Sequence, residues 1–401
     1  MKLVGACVLG LACAWLVSCG GDDDGGGSSS TGGKGGSGGS GASTSGGGGT
    51  PSGGGTTSGG GTTSGGGGAS GGGGAPSGGG GAPSGGGAPS GGGGSPSGGG
   101  GSPSGGAGGT PGQSPVIGGC NVFPANDEWN LDVSGATVDA GWTQKLMTWV
   151  GSNLKLHPDF GGTQYGIPIN VVPANTPLVD VSFDSWPQES DPPPYAFPGP
   201  GTALIEGGTP NNCSGDCHLL SVLQGTCKLY EGYACEYSNK WHCANGAIWD
   251  LTKLSYGQRP KGWTSADAAG LSVTAGLLRY DEVMAHSVRH AIRFTTSCTI
   301  NKFAKPATHK AVPNGCSPTD ANAPPMGLRV RMKASFNDSA LSPEAKAVTA
   351  AFKKYGMIIA DNGSNFFFQG ERNASWPDSF ISELKTLPAN AFEVVAVPPL
   401  E

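Results

Sequence analysis

From Gly20 to about Pro115 the chain is almost entirely Gly, Ser, Thr, Pro and Ala, in irregular repeats such as Pro96-Ser97-Gly98-Gly99-Gly100. This tract constrains the protein more than any other feature. It has almost no apolar surface to bury, so ordering it would cost backbone entropy with nothing to offset the loss. The expectation is a disordered tether with an average reach of about 50–60 Å, enough to lift a domain off a membrane surface. Within it, Gly35-Gly36-Ser37-Gly38-Gly39 fits the Gly-x-Ser-x-Gly pattern of hydrolase nucleophiles. No strand or helix flanks it, so it carries no catalytic expectation. All folding argument therefore falls on residues 116–401, a length that suits one domain with a sizeable core. No internal repeat or second linker divides that stretch.

Ahead of the tract, Met1 and Lys2 precede an apolar run from Leu3 to Val17. One positive charge and a short hydrophobic stretch read as a secretory signal, too short for a comfortable membrane span. The run ends Leu16-Val17-Ser18-Cys19, which resembles the bacterial lipobox. That resemblance implies that Cys19 is diacylated and becomes the new N-terminus, making residues 1–19 a lipoprotein signal peptide and the membrane a partner through the anchor. Gly20, rather than an acidic residue, follows the cysteine, and Asp22-Asp23-Asp24 comes only afterwards. The position therefore points to the outer membrane or cell surface rather than to inner-membrane retention.

Without Lys2, Lys34 and the three tether aspartates, 21 basic and 26 acidic residues remain, a balance of −5. No basic block stands out, so nucleic-acid binding is not expected. Eight cysteines fall in the domain: Cys120, Cys213, Cys217, Cys227, Cys235, Cys243, Cys298 and Cys316. An even number in an exported chain reads as up to four disulfides. The competing reading is zinc, but Cys-x3-Cys at 213–217 and Cys-x7-Cys-x7-Cys at 227–243 do not match the tight paired spacings of zinc modules. Five of the eight crowd into 213–243, predicting a stapled loop or hairpin insert there.

Short apolar or alternating runs recur between Gly, Pro, Asn and Asp. Strands are expected at 179–183, 219–223, 227–233, 247–251, 290–295, 328–334, 357–360, 365–369 and 392–397. Helices are few: 140–153, a Ser342-capped helix to about Tyr355 stopped by Gly356, and 378–387. Many strands, few helices and no βα alternation predict a mainly β fold, an antiparallel β-sandwich or jelly roll with peripheral helices. An α+β domain is the alternative.

Several segments carry candidate chemistry. In Trp263-Thr264-Ser265-Ala266-Asp267, an indole stands near a carboxylate, the pairing a sugar site uses for stacking and for hydroxyl hydrogen bonds or proton transfer. The alternative is a capping Asp beside a core Trp. In the run 290–294, strand alternation puts His290 with Ile292 and Phe294 on a core face and turns Arg293 to the other. Arg329, Arg331 and Lys333 share one face of a strand, where they need internal carboxylates or an anionic sugar opposite them. Asp361-Asn362-Gly363 reads as a hairpin turn that could also bind sugar hydroxyls or a cation. Asp191 and Glu206 lie on loops, where a glycosidase finds its paired carboxyls. His286 and His290, with Glu282 and His309, could be assembled into a metal site, but they lack the His-Glu-x-x-His pattern. No metal and no cofactor are expected.

Taken together, the 160–397 region resembles a family of secreted bacterial proteins. The likeness rests on Asp159-Phe160-Gly161, Tyr165-Gly166-Ile167-Pro168, Glu189-Ser190-Asp191, Ile205-Glu206-Gly207-Gly208, the runs at 263–271, 290–294 and 324–333, and Tyr355-Gly356 through Ser364. It implies secretion and a shared domain, and brings no particular activity. One departure stands out. Asp216-Cys217-His218 replaces an expected Asp-Arg-His, with the cysteine assigned to the local staple and His218 kept as a binding candidate. The functional expectation is a carbohydrate-directed domain that cleaves polysaccharide. In a lyase, His290 or His309 would be the base, and Arg329 and Arg331 would neutralise a uronate. In a hydrolase, Asp267 would pair with Glu206 or Asp191. The competing classes are a non-catalytic glycan-binding or adhesion module and a structural envelope lipoprotein.

Overall fold

Two adjacent apolar strands, Ile292–Thr296 and Met357–Asn362, organise the domain. β-Branched and aromatic side chains make both good sheet formers, and almost every residue in them is buried. The computed structural model describes residues 110–111 and 114–401, Thr163 excepted. The expected signal segment, Cys19 and nearly all of the expected tether lie outside the described residues.

The two strands are the centre of a six-stranded sheet. Its order is Phe392–Val394, Arg329–Met332, Met357–Asn362, Ile292–Thr296, Phe367–Gln369 and His157–Asp159. A four-stranded sheet runs Asn245–Asp250, Lys228–Tyr233, Leu219–Leu223 and Ile169–Val172. A smaller one joins Glu236–Tyr237, Trp241–Cys243 and Val181–Phe183. The mainly β character expected from the sequence is what the chain adopts. Its sheets are mixed, since Ile292–Thr296 runs parallel to Met357–Asn362, and Leu219–Leu223 parallel to Ile169–Val172. The alternation that marks a strand does not encode its direction.

One core joins the two larger sheets. Val222, Leu229 and Trp249 belong to the same buried cluster as Ile292, Phe294, Ile359 and Phe368. The helices cover it. Ala140–Val150 is capped by the Asp139 carboxylate, which accepts from Trp142 N at 2.9 Å. Pro343–Lys354 is capped by Ser342, whose Oγ accepts from Ala345 N at 3.1 Å. It puts Val348, Ala351 and Phe352 into the core, and Gly356 ends it at φ 75°. Asp378–Leu384 packs beside it.

All eight domain cysteines pair, as Cys120–Cys227, Cys213–Cys217, Cys235–Cys243 and Cys298–Cys316. Four disulfides indicate an oxidising compartment. No described helix is long and apolar enough to cross a membrane.

One sequence expectation is corrected and one open alternative is decided. Residues 361–365 do not form a hairpin, because Met357–Asn362 and Phe367–Gln369 are not neighbours and Ile292–Thr296 lies between them. The connection steps over that strand and is pinned to it: Gly363 N donates to Thr296 O, and Asn365 Oδ1 accepts from Thr296 Oγ1 and Ser297 N, both at 2.9 Å. Its left-handed residue is Phe366, φ 57°. At the cationic strand, the reading with internal partners is the one the chain adopts. Arg329, Arg331 and Lys333 do point off the core face, but each meets a partner from its own domain. Arg329 donates to Glu128 O, Arg331 pairs with Glu393 at 2.9 Å, and Lys333 donates to Asn390 O at 2.9 Å.

Candidate functional site

The six-stranded sheet has one apolar face and one polar face. Phe294, Ile359, Phe368 and Pro158 lie across from one another on the apolar side. By the two-residue period, His157, Asp159, Arg293, Thr295, Phe367 and Gln369 lie on the other. A bulge adds Asp361 to this polar face. Phe294 pairs with Ile359 but Thr295 pairs with Asp361, so Ala360 is the extra residue. Without it Asp361 would share the face of Ile359; with it the carboxyl stands beside Arg293 and Thr295.

Loops close over this face and leave a cleft with two adjoining lobes of about 120 and 230 Å³, sharing Asp216, Asp361 and Asn362 in their walls. The inner lobe adds Asp159, Glu206, His218, Arg293 and Gln369. The outer lobe adds Trp186, Tyr233 and His309.

Arg293 is the anchor. It is 2 % exposed, and its fork holds Asp267 by two bonds, Nε to Oδ2 at 3.0 Å and Nη2 to Oδ1 at 2.6 Å. Nη1 donates to Gln369 Oε1 at 2.6 Å, and Nη2 lies 3.6 Å from Asp361 Oδ2. Burial opposes its charge, but Asp267, Asp361 and Glu206 more than reverse this and hold its pKa above the ordinary value. Asp267 is fully buried, and Ser265 Oγ braces its loop by accepting from Asp267 N and donating to Leu271 O. The carboxylate is thus placed to orient Arg293 rather than to touch a ligand.

His218 is the second buried cation. Its Nε2 meets the Ala266 carbonyl at 3.0 Å, and a carbonyl only accepts, so Nε2 carries a proton. Nδ1 lies 2.5 Å from Glu206 Oε2, an approach that suits a second proton. Burial favours the neutral ring, but the Glu206 charge and hydrogen bond outweigh it and push His218 up to about 9. Glu206 is pushed up by burial and pulled below its ordinary value by His218. Asp361 behaves oppositely. Burial and the charges of Asp267 and Asp216 raise it to about 8, against the pull of Arg293, so it holds a proton at neutral pH.

On the outer side, the Trp186 and Tyr233 rings lie 6.3 Å apart, and Tyr233 lies 5.6 Å from His218. Trp186 is 44 % exposed, free to stack. Burial, with Asp216, Asp361 and Glu206 nearby, pushes the Tyr233 phenol up to about 12. His309 Nδ1 meets Ala268 O at 2.7 Å, which leaves Nε2 as the free nitrogen, 4.0 Å from Glu189. Asp216 is exposed, and its side chain makes no hydrogen bond or ion pair among the described residues.

The site therefore gathers His218, Glu206, Arg293, Asp361, Asn362 and His309 from the sequence candidates. Others lie elsewhere. Asp191 is a structural clamp, accepting from Arg259 Nη1 at 2.5 Å and Ile248 N at 2.8 Å. Trp263 packs under the same guanidinium at 5.4 Å and is not part of the cleft wall. His290 is buried between Glu282 at 3.0 Å and the Ala291 carbonyl. Asp159, Trp186, Asp216 and Tyr233 were missed. Asp159 and Asp216 stand inside motifs that were noticed, beside Phe160 and His218, but nothing local marks them as facing one cavity. Among the described residues, no group of three or more His, Cys, Asp or Glu side chains is arranged to hold a metal ion.

Fold and cleft define a mainly β, disulfide-stapled domain with a buried Arg–Asp pair beneath a polar, partly aromatic cavity. No protein-family model matches the chain, and no curated protein or solved structure is significantly similar to it.

Proposed function

We propose that this domain is a carbohydrate-directed hydrolase with the two-lobed cleft as its active site, held at the cell surface by lipid on Cys19 and by the glycine-rich tether. One observation carries the reading: two carboxyls, Asp361 and Asp216, line both lobes beside the exposed ring of Trp186, and Asp361, pushed up to about 8, is the one suited to hold a proton while Asp216 has no ion-pair partner among the described residues. Glycoside hydrolysis needs one carboxylic acid and one carboxylate. Asp361 would donate its proton to the departing glycosidic oxygen as the C–O bond breaks. Asp216 would take a proton from the water that attacks the anomeric carbon, so the two carboxyls exchange protonation states in each turnover. Trp186 and Tyr233 would stack on the sugar ring.

A lyase is less well supported. Its alternative base, His309, lines the outer lobe, but His290, Arg329 and Arg331 lie outside the cleft, and Arg293 in its wall is engaged by Asp267.

The test uses the purified full-length protein, disulfides formed, on a panel of polysaccharides, following new reducing ends and the ultraviolet absorbance of unsaturated uronates. Reducing ends without absorbance are expected. Asp361→Asn should lower turnover by about 10²–10⁴-fold while leaving binding intact. Retention of a polysaccharide without cleavage would make the domain a binding module. Absorbance would make it a lyase.

A further inference from the structure

We propose that the cleft selects sugars bearing a free amine, glucosamine-type units, over neutral sugars and rejects uronates; this rests on reading the cleft as a carbohydrate site. The charge balance of its walls is the first argument. Carboxyls from four separate chain segments reach the lining, on Asp159, Glu206, Asp216 and Asp361. Two buried cations face them, and each is already matched at contact distance, Arg293 by Asp267 at 2.6 Å and His218 by Glu206 at 2.5 Å. Neither Asp159 nor Asp216 has an ion-pair partner among the described residues. The remaining basic side chain, His309, has the Glu189 carboxylate 4.0 Å from its Nε2.

A uronate entering here would lose water against Asp216 and Asp159 and find no uncommitted cation. An ammonium would meet the reverse: Asp216 with no ion-pair partner, and Asp159 with the neutral Gln369 amide against burial that opposes its charge, in a partly enclosed space where opposite charges attract more strongly than in bulk water. The aromatic wall adds a second, independent attraction, since the ring faces of Trp186 and Tyr233 favour a cation. A neutral sugar can stack and hydrogen-bond but gains nothing from the excess charge.

The experiment titrates the full-length protein calorimetrically with three oligosaccharides of equal length at mildly acidic pH: a glucosamine oligomer, its N-acetylated counterpart and an oligogalacturonate. The glucosamine oligomer is expected to bind about tenfold tighter than the acetylated one, with the margin shrinking at high salt and in Asp216→Asn. The oligogalacturonate is expected not to bind. Asp216 is exposed, so this variant should fold, and Asp159→Asn repeats the test from the inner lobe. Equal or tighter binding of the acetylated or uronate oligomer would overturn the amine preference and leave the carbohydrate reading standing. So would a margin unchanged in both variants. Binding of none of the three would overturn both.

Discussion

Arg293 and Asp267 are each almost inaccessible to water, and their bidentate contact makes each tolerable to the other. Removing one partner strands a buried charge, which costs about 3–5 kcal/mol, whereas removing both can be nearly neutral. Arg293→Met is therefore expected to lose about that much stability in urea denaturation, with much of it recovered in Arg293→Met/Asp267→Leu. A single variant as stable as the parent would mean that the pair does not hold the site together. Strand periodicity already turned Arg293 away from the core. That its partner would be Asp267, 26 residues earlier, follows only from how the 264–270 loop folds over the sheet.

Among the elements, the turn at Gly356 precedes one strand, the bulge at Ala360 lies within it, and the two act differently. The bulge selects the face on which Asp361 appears. The glycine lets the helix end at φ 75° where a Cβ would collide with the Val330 carbonyl. Gly356→Ala should cost more than about 1 kcal/mol, read from the urea midpoint. A stop signal at Gly356 was legible from its place after the helix. The bulge was not, because a register shift belongs to a pair of strands rather than to one. The staples differ as well. Cys120–Cys227 closes 107 residues and joins the N-terminal segment to the four-stranded sheet, whereas Cys213–Cys217 closes only 4. Replacing Cys120 and Cys227 with serine should lower stability by about 4–5 kcal/mol on the loop-entropy account. The same change at Cys213 and Cys217 should cost clearly less, with both compared by thermal unfolding.

For the whole domain, stability should depend on pH with a definite sign. Asp361 rises from 3.8 to about 8 on folding and His218 from 6.5 to about 9. Each binds its proton more tightly in the folded state. Their contributions are full below the unfolded values and are lost as pH rises through the folded ones. Asp361 thus weakens the fold between about pH 4 and 8, and His218 between about pH 6.5 and 9. The melting temperature is expected to fall as pH is raised from 6.5 to 9, less steeply in Asp361→Asn. A flat profile, or one that rises, would contradict the protonation states assigned to the cleft.

What the sequence determined by itself is whatever depends on short stretches of chain: composition that leaves 20–115 little to bury, strand and helix periods, the caps at Asp139 and Ser342, and eight cysteines, an even number, within 116–401. Those features arise from interactions within a few residues, so they can be read along a line. Tertiary structure alone decided which strands are neighbours, that the step from Asp361 to Phe367 crosses another strand, and that the three cations at 329–333 meet their own domain. It also assembled the cleft from residues at 159, 186, 206, 216, 233, 293 and 361. Their common property is to surround one cavity, and a pKa of about 8 for Asp361 arises from burial and from charges distant in the chain. Neither leaves a pattern in the local sequence.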